Sequence, residues 1–76
     1  MRDTVDNMQA VLDTLRAELA EKQISQRVLG DRIDRTQQWV LHHLAGNYVL
    51  SMEDFMLFCA GIDIDPITTL AKALKQ

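Results

Sequence analysis

A glycine in the middle of a short helical run is the feature that most constrains this chain. Gly30 lies between Ser25 and Ile33. Inside a helix a glycine costs ~1 kcal/mol relative to alanine. That cost is compensated where the next stretch of backbone must come close and a side chain would block it. The pattern therefore predicts two short helices, 26–33 and 36–45, folded against each other around a tight turn. Ser25 suits the cap of the first and Thr36 the cap of the second. Asp34 in the turn tolerates a left-handed backbone better than most residues. Gly46-Asn47 closes the second helix. Val28, Leu29 and Ile33, then Val40 and Leu44, are the inward residues.

The flanking segments are helical as well. Val5, Met8, Leu12, Leu15 and Leu19 recur at 3, 4, 3, 4 spacing, one stripe of a helix over 4–23, with Asp3 or Thr4 as its cap. Ser51 and Asp54 make a capping-box variant opening a helix over 52–60. Met52, Phe55, Phe58 or Cys59, and Ile62 form its inner side, and Met56 and Leu57 extend the apolar surface past half its circumference. Asp65-Pro66 is a cap followed by proline at the first helical position. The last helix, 66–75, carries Ile67, Leu70, Ala71 and Leu74 on one stripe, with Lys72 and Lys75 toward its end. No segment alternates with period two. The expected fold is all-α, five helices, one domain over 1–76.

Size and charge bound the function. A chain of 76 residues is expected to bury only ~60% of its unfolded surface, so a partner subunit would help it. The net charge of −3 argues at first against nucleic acid as a partner. By segment the picture changes: residues 22–43 hold four Lys/Arg against two Asp/Glu, and the acid lies before and after them. The balance is still only mildly basic, so weak nonspecific DNA binding is expected. One cysteine, Cys59, cannot form an internal disulfide. It reads as a buried structural thiol in a reducing, cytoplasmic protein. The longest apolar stretch, residues 55–62, is too short to span a bilayer. The polar, mostly acidic N-terminus does not read as a signal peptide.

An ordered set of residues then resembles a known family. Leu15-Arg16-Ala17-Glu18-Leu19, Ile24-Ser25-Gln26, Leu29-Gly30-Asp31-Arg32-Ile33, Thr36-Gln37-Gln38-Trp39-Val40, Gly46, and Leu50 through Ile62 stand in the order and at the gaps of the Cro/repressor type of lambdoid phages. The wider relatives are the xenobiotic-response-element regulators. The resemblance covers Leu12 to Pro66. It implies a compact five-helix, lambda-repressor-like DNA-binding domain with its helix-turn-helix at 25–46.

Carried over position by position, the resemblance implies that Gln26 bonds a DNA phosphate and supports Gln37. Gln37 and Gln38 would meet base edges from the start of the recognition helix. A glutamine amide both donates and accepts, and can bond adenine bidentately in the major groove. His42 and Thr36 are further candidates for base contact. Arg27, Arg35, Asn47 and Tyr48 are candidate phosphate contacts. The sequence departs from the pattern at four positions. Asp34 stands where glycine is common. His43 stands at a usually aliphatic position; either it is partly buried with a hydrogen-bond partner, or the helix is rotated so that Leu44 fills the gap. Trp39 and Leu41 replace small or polar residues, and Trp39 reads equally as a core plug or a surface aromatic.

The expectation is a sequence-specific, double-stranded DNA-binding repressor acting as a homodimer on a palindrome, with half-sites about one helical turn apart. Met56, Leu57, Ile67, Leu70 and Leu74 are the expected dimer patch. The alternative is a protein-interaction module, antirepressor or antitoxin-like, that keeps the fold without reading DNA. The acidic total, Asp34, Trp39 and Leu41 favour it, and in that case Gln26, Gln37 and Gln38 are ordinary solvated helix residues. No nucleophile–base pair, metal spacing or phosphate loop suggests an enzyme, a cofactor, a metal or a small-molecule ligand. Adjacent His42 and His43 diverge by about 100° on a helix, which suits a shared metal poorly.

Overall fold

Four side-chain caps set the helix starts. Ser25 Oγ accepts from the Val28 N–H at 3.1 Å, Thr36 Oγ1 from Trp39 at 3.0 Å, Ser51 Oγ from Asp54 at 3.0 Å and Asp65 Oδ2 from Thr68 at 2.8 Å. Each satisfies an amide that has no partner within its helix. The computed structural model describes residues 4–75, with side chains from residue 7 onward. Among these residues the elements are α1 (Thr4–Lys22), α2 (Gln26–Ile33), α3 (Gln37–Leu44), α4 (Met52–Ile62) and α5 (Pro66–Leu74), with no strand. The expected roles of Asp3, Thr4 and Val5 fall outside the described side chains. No helix among the described residues is long and apolar enough to cross a membrane.

Three helices end on left-handed residues that are not glycine: Gln23 (φ 57°), Asp34 (φ 58°) and Asp63 (φ 65°). At Asp34 this geometry turns the chain so that the Arg35 N–H donates to the Gly30 carbonyl at 2.9 Å. A Cβ built on Gly30 would lie 2.6 Å from the Arg35 carbonyl oxygen. The close approach expected at Gly30 is therefore present, and it is made by the turn and the start of α3. A second close approach was not expected from the sequence. A Cβ on Gly61 would lie 2.5 Å from Ile33 Cγ2 and 2.6 Å from Leu29 Cδ1, so Gly61 lets α2 settle onto α4.

The core is one cluster. Leu12, Leu15 and Leu19 of α1 meet Leu29 and Ile33 of α2, Val40 and Leu44 of α3, and Phe55, Phe58, Cys59 and Ile62 of α4, with Ala73 of α5 at the edge. Val28 is only half-buried. Burial pushes the Cys59 thiol up to about 11. The expectation of a buried thiol holds.

Two packing expectations need correction. Met52 is not on the inner side of α4; it is 65% exposed, because the buried face of that helix runs through Phe55, Phe58, Cys59 and Ile62. On α5 the buried residues are Thr69 and Ala73, while Ile67 and Leu74 face solvent and Leu70 is half-buried. Thr69 can be buried because its hydroxyl donates back to the Asp65 carbonyl at 2.7 Å. The small Thr69–Ala73 face lets α5 lie close along α1, where Lys72 pairs with Glu18 at 3.0 Å. That pairing raises the Lys72 pKa. Only half of the expected capping box forms. The Asp54 carboxylate turns instead toward His43, and α4 continues past Ala60 to Ile62.

Candidate nucleic-acid interface

α3 is fixed to the body on three sides, and this decides which residues it presents. Val40 and Leu44 are fully buried in the core. Gly30 admits the first residues of α3 against α2. At the far end Arg16 of α1 donates to the Leu44 carbonyl while pairing with Asp13, so a basic side chain satisfies an unpaired acceptor at the helix C-terminus. Arg16 was not singled out in the sequence, because nothing local links it to a residue 28 positions away.

Of the two alternatives for His43, the structure takes the first: the ring is buried and has a hydrogen-bond partner. His43 is 7% exposed and Leu44 is buried as well. The His43 Nδ1–H donates to the Trp39 carbonyl at 2.8 Å, and Nε2 lies 3.8 Å from Asp54 Oδ2. Its ring stacks on Trp39 with centroids 3.9 Å apart, and Trp39 in turn stacks on Phe58 at 5.5 Å. Trp39 is thus half core plug and half surface aromatic, with the Arg35 guanidinium 5.3 Å above its ring.

The solvent face of α3 consists of Gln37, Gln38, Leu41 and Ala45, with His42 half-buried beside them. Gln38, Leu41, His42 and Ala45 are three or four residues apart and share one side of the helix. Gln38 borders an open cleft lined by Thr36, Trp39, His42, His43 and Tyr48. Gln37 does not border it and stands on the other flank of the exposed ridge. Thr36 spends an oxygen lone pair as the cap but keeps its hydroxyl hydrogen and methyl free. Asn47 Nδ2 donates to His42 Nδ1 at 3.0 Å, which leaves a donor N–H at His42 Nε2. Tyr48 packs edge-on to His42 at 5.8 Å and is 58% exposed.

The other candidate residues are placed as follows. Gln26 is half-buried at the start of α2, and among the described residues no hydrogen bond joins it to Gln37. Arg27 pairs with Asp31 at 3.5 Å, both largely exposed, a contact that costs little to break. Arg35 donates to the Asp34 carbonyl at 3.1 Å and retains further donors. The Asp34 carboxylate is exposed at the turn. Of the expected dimer residues, Met56, Ile67 and Leu74 are exposed, whereas Leu57 and Leu70 are half-buried against the core. Met52 joins the exposed group and lines a narrow cleft with Met8, Val11, Phe55 and Leu70.

No family model matches the chain, and neither a curated protein nor a solved structure matches it.

Proposed function

We propose that this protein is a sequence-specific, double-stranded DNA-binding repressor of the Cro/repressor type, acting as a homodimer on a palindrome in the cytoplasm. The observation that carries the reading is the solvent face of α3. A helix anchored by Gly30, Val40, Leu44 and Arg16 presents Gln37 and Gln38 outward, with the half-buried His42 beside them. Amide and imidazole groups on a rigid exposed helix match the donors and acceptors along major-groove base edges. Thr36 and Gln26 stand at the starts of α3 and α2, where amides and side chains can meet phosphate. Arg27, Arg35, Asn47 and Tyr48 supply flanking phosphate contacts. The exposed apolar side chains Met52, Met56, Ile67 and Leu74 support a second copy on the α4–α5 side.

Selection of bound sequences from a random duplex library tests this reading. The expected result is an enriched palindrome with half-sites about one helical turn apart. A second reading, a protein-interaction module without DNA readout, is favoured by the exposed Asp34 carboxylate beside α3 and by the exposed Leu41. It becomes the better one if no sequence is enriched.

A further inference from the structure

Leu41 is the one large apolar side chain on the exposed face of α3. It is 41% exposed, and Gln37 and Gln38 lie one turn before it, with Ala45 one turn after. The structure gives it no packing role comparable to that of its neighbours. Val40 and Leu44 are buried, His43 is hydrogen-bonded, and Trp39 is stacked. Leu41 belongs neither to the core cluster nor to the partly buried residues packed against it.

We propose that Leu41 is a specificity-determining residue that reads the C5-methyl group of a pyrimidine in the major groove. The inference rests on the DNA-binding reading above. In that groove every base edge presents donors or acceptors, and the thymine methyl is the apolar group among them. A leucine pressed against an amino group or a carbonyl would strip its water and return no hydrogen bond. Against a methyl group it loses nothing and buries apolar surface. Leu41 therefore both favours thymine and disfavours other bases at one position. Its place one turn along from Gln38 puts that thymine beside the base pair Gln38 meets. The 5-methyl group of 5-methylcytosine offers the same surface.

The test uses the duplex most enriched in the library selection, with deoxyuridine replacing thymidine at one position of each half-site at a time. Uracil differs from thymine only by the methyl. At one position the expected result is roughly fourfold weaker binding per half-site, the value of burying one methyl group. In Leu41→Ala the thymine-to-uracil ratio at that position falls to about one, while its affinity for the uracil duplex stays within about twofold of wild type. Leu41 is exposed and alanine is a strong helix former, so this variant is expected to fold. Equal binding of thymine and uracil at every position, or a ratio that persists in Leu41→Ala, overturns the assignment of Leu41 and leaves the DNA-binding reading intact. Failure to enrich any sequence overturns both.

Discussion

His43 stacks on Trp39 with ring centroids 3.9 Å apart and donates from Nδ1 to the Trp39 carbonyl at 2.8 Å. A polar ring thus fills a core position under the candidate DNA-reading face, and Asp54 of α4 stands 3.8 Å from its other nitrogen. Replacing His43 by Ala removes the stacking partner and opens a gap beneath Trp39. The expected loss of stability is about 1–3 kcal/mol. A red shift of Trp39 fluorescence in the folded state should accompany it, as the indole gains water. Urea denaturation with the emission spectrum checks both.

Gly30→Ala is expected to destabilise although alanine is the better helix former by ~1 kcal/mol. The new Cβ would meet the Arg35 carbonyl oxygen at 2.6 Å, and backbone cannot swing aside as a side chain can. Overpacking of this kind costs about 1–3 kcal/mol. For a domain of this size each kcal/mol is worth roughly 4–8 °C in Tm. Calorimetry or thermal circular dichroism reads the shift.

Much of this was legible in the sequence, for identifiable reasons. Gly30, Ser25, Thr36 and Asp65 act through neighbours within a few residues, so spacing alone located the turn and the caps. Gly61 and Arg16 act on residues 28 or more positions away, on Leu29 and Ile33 and on the Leu44 carbonyl, and no local pattern shows such partners. Met52 and the apolar stripe of α5 misled because an apolar side chain at the right period can face the core or solvent with equal regularity. The structure buries Thr69 and Ala73 instead, since small residues allow α5 to lie close to α1.

Asp34 occupies a left-handed position with φ 58°, which glycine adopts without penalty. Asp34→Gly should keep or raise stability, by up to about 1 kcal/mol. It also removes a negative charge from the turn beside α3. Nonspecific affinity for duplex DNA is expected to rise, most at low salt, as a fluorescence-anisotropy salt titration would show.

The shifts of Asp65 and Cys59 each make stability depend on pH. The Thr68 backbone hydrogen bond holds the Asp65 carboxyl below its ordinary value. Its contribution is full above the ordinary Asp value of about 3.9 and is lost as pH falls below it through the folded value. Asp65→Asn keeps the cap and should flatten the acid limb. Burial raises Cys59 from 9.0 to about 11. The folded state then holds a proton that the unfolded state releases, so this contribution is full below pH 9 and declines from there through about 11. Denaturation midpoints from pH 2 to pH 11, with Cys59→Ala as the control for the alkaline limb, test both signs.

Ile67→Glu and Leu74→Glu place charges on exposed α5 positions that make no core contribution. Monomer stability should change by no more than about 0.5 kcal/mol. Self-association, followed by sedimentation, should weaken in both variants, and cooperative binding to a two-half-site duplex should weaken with it. Unchanged sedimentation in both would remove the α4–α5 side as the dimer surface.

The most direct measurement compares wild type with Gln38→Ala on the library-enriched duplex and on its single-base variants. Wild type is expected to lose affinity sharply at the base pair that Gln38 meets. In Gln38→Ala, affinity for the enriched duplex should fall by ~1–3 kcal/mol, and the preference at that base pair should relax while the other positions keep theirs. An enriched sequence read identically by both proteins, or no enriched sequence at all, would contradict base reading by the exposed face of α3.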